Sequence, residues 1–375
     1  PPYFNCINIR ALTQNREKAY ICHYRYTSAH PFKDMKKNTP LLASALCTLL
    51  LLLAGCAPHA QIKSISGNAL GTFYNIKYVS GGDEITPSAL DSLFERINSS
   101  VSLYRDNSIL SRINAGDTSA TADEIFAGVF AVSKEVHRGS NGWFDPTVLP
   151  LVEAYGFIEG IPAHIPDKKE LDSLMALTGF EKVSLDGTGR IVKPSPGVRL
   201  DFNAIAKGYA VDMTGRFLES LGTEDYLVEI GGEIRCRGVK PDGTPWLVGI
   251  EDPLLSSSSR IQNAVMEMRD MSVATSGNYR KYRTDSTGRR TVHTINPRCG
   301  LASPSDVLSA TVTAPDCATA DGYATAMVSA GYAASLGILE NHPELGAFLV
   351  YTDTEGHTHT YVSHGLKSVL KEIKK

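Results

Sequence analysis

The 375-residue chain has no run of five like charges, and a formal charge of −3 with a pI of about 6.4 provides no electrostatic footprint for nucleic acid. It has no C-x-x-C pair, no internal repeat and no low-complexity linker beyond the four serines Ser256 to Ser259. These absences exclude a paired-cysteine zinc site, a solenoid and a flexibly tethered two-domain chain. There is no Walker P-loop, G-x-G-x-x-G fingerprint, G-x-S-x-G elbow or H-E-x-x-H helix, so the familiar nucleotide-binding and hydrolase classes lack their signatures. The longest apolar run, Leu41 to Ala54, is too short to span a bilayer as a mature helix.

What is present is ordinary globular composition, 42% hydrophobic and 21% charged, with 32 glycines and 19 prolines. Met35-Lys36-Lys37 precedes the apolar run, as in a secretory signal, and Leu53-Ala54-Gly55-Cys56 resembles a bacterial lipobox. The expected organisation is residues 1–34 as an over-extended gene start, 35–55 as a lipoprotein signal peptide, and 56–375 as a mature chain lipidated on Cys56. That chain is mildly acidic, exported, and lipid-anchored to a bacterial membrane. Of its cysteines only Cys236, Cys299 and Cys317 remain beyond Cys56, an odd number that argues against a disulfide framework.

Residues 62–79 alternate enough for a strand or hairpin, and 87–101 places Leu90, Leu93, Phe94 and Ile97 on one helical side. Further helices are expected at 122–137, 168–177, 204–221 and 318–331, and strands at 226–230, 246–250, 264–268, 307–313 and 347–351. The mixture predicts an α+β fold, in one large domain or two intimately packed lobes.

Several stretches carry chemistry. In "ATADGYATAM", residues 318–327, Asp321 and Thr325 are four apart and share a helix face. They read either as hard-oxygen ligands for Mg²⁺ or as an N-terminal acid with a threonine bonding back one turn. In "RLDFNAIAKGYAVD", residues 199–212, Asp201 is either a helix cap or part of a polar site, and Lys207 either a snorkelling surface side chain or a phosphate ligand. Gly231-Gly232 marks a turn, a bulge or a close backbone approach. Asp145-Pro146 is a good helix start after two aromatics. A hairpin around "RTDSTGRR" is expected to bring Thr275, Ser276 and His293 near one another.

Taken in order, "LGTFYNIKY", "SLYRDNSILSRIN", "GWFDPTVLPLVEAYGF", "RLDFNAIAKGYAVD", "LVEIGGEIRCRG", "ATSGNYRKY", "HTINPRCG" and "ADGYATA" resemble the ApbE-type FAD:protein FMN transferases, in a lipoprotein member. The resemblance covers about residues 64–365 and implies a single-domain α+β enzyme, mixed sheets packed with helices, that uses FAD and Mg²⁺. Such an enzyme moves FMN onto a threonine or serine of an acceptor protein, plausibly a subunit of a membrane redox complex, and releases AMP. It implies metal ligation by Asp321, Thr325 and the Ala204 carbonyl. FAD contacts would come from Leu70, Tyr104, Trp143, Phe144, Asp145, Asp201, Lys207 and His293. Asp321 and His293 are then the catalytic residues, His293 because a neutral imidazole accepts a proton near pH 7. Leu70 stands where many relatives have methionine, and Asn296 where an acid is common. Two alternatives remain: an Mg²⁺-dependent FAD pyrophosphatase giving FMN and AMP, and a non-catalytic flavin-binding lipoprotein.

Overall fold

A computed structural model describes residues 61–158, 161, 164–251, 262–278, 282–284 and 290–372. The signal segment and Cys56 lie outside them. Among the described residues no helix is long and apolar enough to cross a membrane.

The centre is an eight-stranded sheet whose spatial order is the chain order: Ile62–Ala69, Thr72–Val79, Tyr226–Ile230, Glu233–Arg237, Met271–Gly277, Val307–Ala314, Gly346–Thr352 and Thr358–Val362. Every neighbouring pair is antiparallel. The expected 62–79 segment is a hairpin turned by Leu70 and Gly71, at φ 54° and 74°. A left-handed leucine is strained by roughly 1–2 kcal/mol, so this turn is held by its surroundings. Gly231 and Gly232, at φ 63° and 104°, form a two-residue turn between Ile230 and Glu233, which resolves the open reading of that pair in favour of a turn.

Alternation sends side chains of one strand into two different cores. Tyr226, Val228 and Ile230 face the helical layer, while Leu227 and its neighbours Ile234, Val273, Phe348 and Val350 face the other way. That second face is covered by a three-stranded sheet, Trp246–Glu251, Gln262–Met268 and Leu370–Glu372, through Trp246, Val248, Ile250, Ala264, Met266 and Met268. The architecture is therefore helices, large sheet and small sheet, as the α+β expectation required.

The helices form where amphipathic stripes meet good caps. Pro87–Val101 starts behind Thr86, whose hydroxyl accepts from the Ala89 amide, and buries Leu90, Leu93, Phe94 and Ile97. Glu124–Gly139 is capped by Asp123 and buries Ile125, Phe126, Val129, Phe130 and Val136. Cys317–Ala330 is different, because it is buried nearly all round, with Ala318, Ala320, Ala324 and Ala326 essentially inaccessible. Its alanines allow close approach to the helix Ala206–Ser220 and the strands beneath it. The expected hairpin near "RTDSTGRR" is a short ladder of Tyr282–Thr284 with Arg290–Val292, its turn lying outside the described residues.

Candidate active site

Asp321 sits in the second turn of Cys317–Ala330, with 2% of its surface exposed. Its Oδ2 accepts the Gly208 amide at 3.0 Å, across two helix N-terminal regions. Gly208 lies in the first turn of Ala206–Ser220, where an amide has no intrahelical carbonyl to serve, so Asp321 satisfies one of that helix's free donors. Gly208 is obligatory here: a Cβ would lie 2.3 Å from the Cys317 carbonyl oxygen. The N-terminus of the Asp321 helix is held from the same side. Asp212 accepts the Cys317 and Ala318 amides, each at 2.9 Å, and also takes Arg235 at 2.9 Å.

Lys207 extends beside Asp321 and forms an ion pair with Glu233, whose side chain is 4% exposed. Glu233 Oε2 is buried with no hydrogen-bond partner among the described residues. Three ionisable groups therefore meet: one ammonium, on a side chain 36% exposed, and two buried carboxyl groups. Burial pushes the Asp321 carboxyl up to about 7, and Glu233 adds to the rise, while Lys207 and the Gly208 amide oppose it. The two carboxylates in turn hold the Lys207 ammonium charged, against its own desolvation. Lys207 is thus partly exposed along its stem but turns its ammonium inward onto Glu233 rather than out to solvent.

Thr325, half-buried one turn along, exchanges a hydrogen bond with Ser276 at 3.0 Å, so its hydroxyl points at the neighbouring strand. Thr275 does the same with Thr311 at 2.9 Å. His293 packs edge-on against Phe157, with ring centroids 6.5 Å apart, in a satellite core where Ile295 meets Leu151, Val152 and Tyr155.

Asp201 accepts the Asn203 amide at 2.7 Å, closing a turn ahead of the helix. The helix itself begins at Ala206 behind Ile205, with no side-chain cap, which corrects the expected start at 204 and the cap reading of Asp201. Burial raises the Asp201 carboxyl to about 6. Asp145 does cap its turn: Oδ1 accepts the Thr147 amide at 2.7 Å, and Oδ2 accepts the Phe180 amide at 3.0 Å. Phe144 is buried, whereas Trp143 carries the Arg298 guanidinium 4.1 Å above its ring.

Leu70 and its turn line a cleft of about 740 Å³ with Thr72, Phe73, Phe94, Asn98 and Arg105. Tyr104 is 70% exposed, and its hydroxyl accepts from the Asn203 side-chain Nδ2 at 3.4 Å. The cleft and the acidic cluster are linked. The Gly231 amide donates to the Phe73 carbonyl at 3.0 Å, and two residues on stands Glu233. Both turns lie at the same end of the sheet, since Tyr74 pairs with Ile230.

Glu233, Asp212 and Gly208 were missed as site residues by the sequence reading. The available signal was the acid directly after Gly231-Gly232, at the start of a strand.

The fold is that of solved flavin transferases. The structure titled flavin transferase ApbE from Vibrio cholerae superimposes with a TM-score of 0.72 at 33% identity, covering 83% of this chain and 99% of that one. The flavinyl transferase ApbE of Pseudomonas stutzeri, in its apo form, gives 0.73 at 32% identity over 83% and 97%. In sequence, the FAD:protein FMN transferase of Vibrio cholerae is 38% identical over 312 residues, 81% of this chain and 92% of its own length. That of Haemophilus influenzae is 34% identical over 320 residues, 82% and 92%. The ApbE family model matches residues 70–349, and the chain belongs to the ApbE family.

Proposed function

We propose that the chain transfers FMN from FAD to a threonine or serine hydroxyl of an acceptor protein and releases AMP, with Mg²⁺ at Asp321, Thr325 and the Ala204 carbonyl. The observation that carries this reading is the cluster of Asp321, Glu233 and Lys207. One cation among two buried carboxylates leaves negative charge that a divalent ion offsets, and the donors nearby are hard oxygens of the kind Mg²⁺ takes. Bound there, Mg²⁺ supplies charge neutralisation for the pyrophosphate.

This chain's own residues do the rest. Lys207 holds a positive charge beside the same phosphates, fixed in direction by Glu233. Leu70, Tyr104, Asp201 and the Trp143–Phe144–Asp145 segment bound the flavin nucleotide, with Tyr104 offering an exposed ring face and Trp143 a ring stacked under Arg298. His293 accepts the proton of the attacking hydroxyl. The acceptor oxygen forms its bond to the FMN phosphorus as the bond from that phosphorus to the bridging oxygen breaks, and the oxygen leaves with AMP. Residues 35–56 fit a lipoprotein signal and its Cys56 attachment site, so the enzyme acts at a membrane surface outside the cytoplasm. Its acceptor is then a neighbouring membrane-bound redox protein.

The test is incubation with FAD, Mg²⁺ and a flavinylation-competent acceptor, followed by intact-protein mass spectrometry. An FMN-sized gain on the acceptor supports the transferase. Free FMN and AMP alone would make it a pyrophosphatase, and intact bound FAD a flavin carrier.

A further inference from the structure

We propose that His137, Asp145 and Glu181 form a second metal site, separate from the Asp321 cluster and suited to a transition-metal ion such as Zn²⁺. The three come from different elements: the last turn of Glu124–Gly139, the start of the turn Pro146–Val148, and the turn Phe180–Lys182. Their ligating atoms all lie within 4.8 Å of one another, the one such group of three among the described residues.

The hydrogen bonds orient the ligands before any ion arrives. His137 Nδ1 is 2.8 Å from the Phe144 carbonyl oxygen, so the neutral ring donates there and keeps its lone pair on Nε2. A ring N–H held by a backbone carbonyl is the usual outer support of a metal-bound imidazole. Nε2 faces Glu181 Oε2 at 3.6 Å, too long for a hydrogen bond. That separation is close to the edge of a tetrahedron built on bonds of about 2.1 Å. Asp145 supplies the third ligand: its Oδ2 lies 3.8 Å from the Nδ1 side of the ring, and its carboxylate is held by Thr147 and by the Phe180 amide. His137 and Asp145 are 13% and 4% exposed while Glu181 is 61% exposed, so the site has a rigid floor and an open mouth.

Two lysines surround it without closing it. Lys182 donates to the Thr178 carbonyl at 2.7 Å and stands 4.0 Å from Glu181 Oε1. Lys134 donates to the Phe180 carbonyl and lies 4.4 Å from the Phe180 ring centroid. With both ammonium groups tethered, the cluster is near neutral, which disfavours Mg²⁺ and Ca²⁺ and leaves imidazole-seeking ions as the fitting class. A bound ion would cross-link the end of the Glu124–Gly139 helix to the turn that follows Trp143.

The experiment is calorimetric titration of the metal-stripped protein with Zn²⁺. The background is His357→Gln/His359→Gln, which removes the exposed histidine pair on Asp353. One equivalent of Zn²⁺ is expected, with Co²⁺ giving visible absorption bands at the same site. Glu181→Gln, on an exposed side chain that leaves the fold intact, should weaken binding by about 10–100-fold, as should His137→Gln. Asp321→Asn should leave it unchanged. No uptake by the parent, unchanged uptake in Glu181→Gln, or loss in Asp321→Asn would each overturn the proposal.

Discussion

The Gly208 amide and the Asp321 carboxylate meet at 3.0 Å although 113 residues separate them in sequence. Their contact joins the first turn of one helix to the second turn of another, and the acidic cluster exists only because those turns touch. Asp321→Ala should therefore abolish flavin transfer, measured as mass gain on an acceptor, since Thr325 alone cannot hold a divalent cation against phosphate charge. The Gly208 amide loses its partner, at a cost of about 1–3 kcal/mol, but a buried charge is removed as well. Full activity in this variant would discard the metal assignment.

The spacing at Gly208 is set by backbone, not by a flexible side chain. A methyl group there meets the Cys317 carbonyl at 2.3 Å, so Gly208→Ala should lower stability by about 1–3 kcal/mol in thermal or denaturant unfolding. A neutral result would mean that the helices separate freely.

Glu233 keeps the Lys207 ammonium from pairing with Asp321 alone. In Glu233→Ala the ammonium should turn to Asp321 and compete with the cation. The Mg²⁺ concentration for half-maximal rate should then rise by about tenfold, with Lys207→Gln restoring part of it. An unchanged Mg²⁺ requirement would remove Glu233 from the site.

Asp321 also sets a pH dependence. Its folded-state carboxyl lies near 7 against an ordinary 3.8, so between those values the folded protein holds a proton that the unfolded chain has released. Stability from this group is full below pH 4 and falls as pH rises towards 7. Asp321→Asn should flatten that slope in metal-free unfolding curves followed from pH 4 to 8. Mg²⁺ should restore stability at the upper end, where the carboxylate is free to bind it.

Cys56→Ala tests the lipid attachment. The variant should move from the membrane to the soluble fraction after cell lysis, and continued partition with the membrane would remove Cys56 as the attachment point.

Much of the secondary structure was legible. The apolar stripe of Leu90, Leu93, Phe94 and Ile97 located the helix Pro87–Val101 to the residue, because cap, proline and periodicity agree there. That Asp321 and Thr325 lie one turn apart on a helix was legible, although Asp321 takes the Gly208 amide and Thr325 the Ser276 hydroxyl. Their surroundings were not. The alanines of "ATADGYATAM" look like room for a ligand, yet they pack against the helix Ala206–Ser220 and the sheet, and Gly322 faces Val136. Periodicity reports that a face is small, not what fills the space beside it. Asp212 escaped for the same reason that Gly208 did: its partners are distant in sequence, and nothing local distinguishes it from a surface acid, while Glu233 carried only its place after the Gly231-Gly232 turn. Ile205 shifted a helix start because its φ of −149° breaks the spiral that the composition around it would continue.

The strand order, in which each strand pairs with the one before it in the large sheet, has a consequence in time. A chain made from its N-terminus can lay down the sheet edge by edge, with every newcomer finding its neighbour in place. Lys207, Glu233 and Asp212 are all present by then, but Asp321 and Thr325 arrive on the last long helix but one, after six of the eight strands. If Asp321 and Thr325 hold the metal as proposed, a half-made molecule is a scaffold without chemistry until that helix is in place.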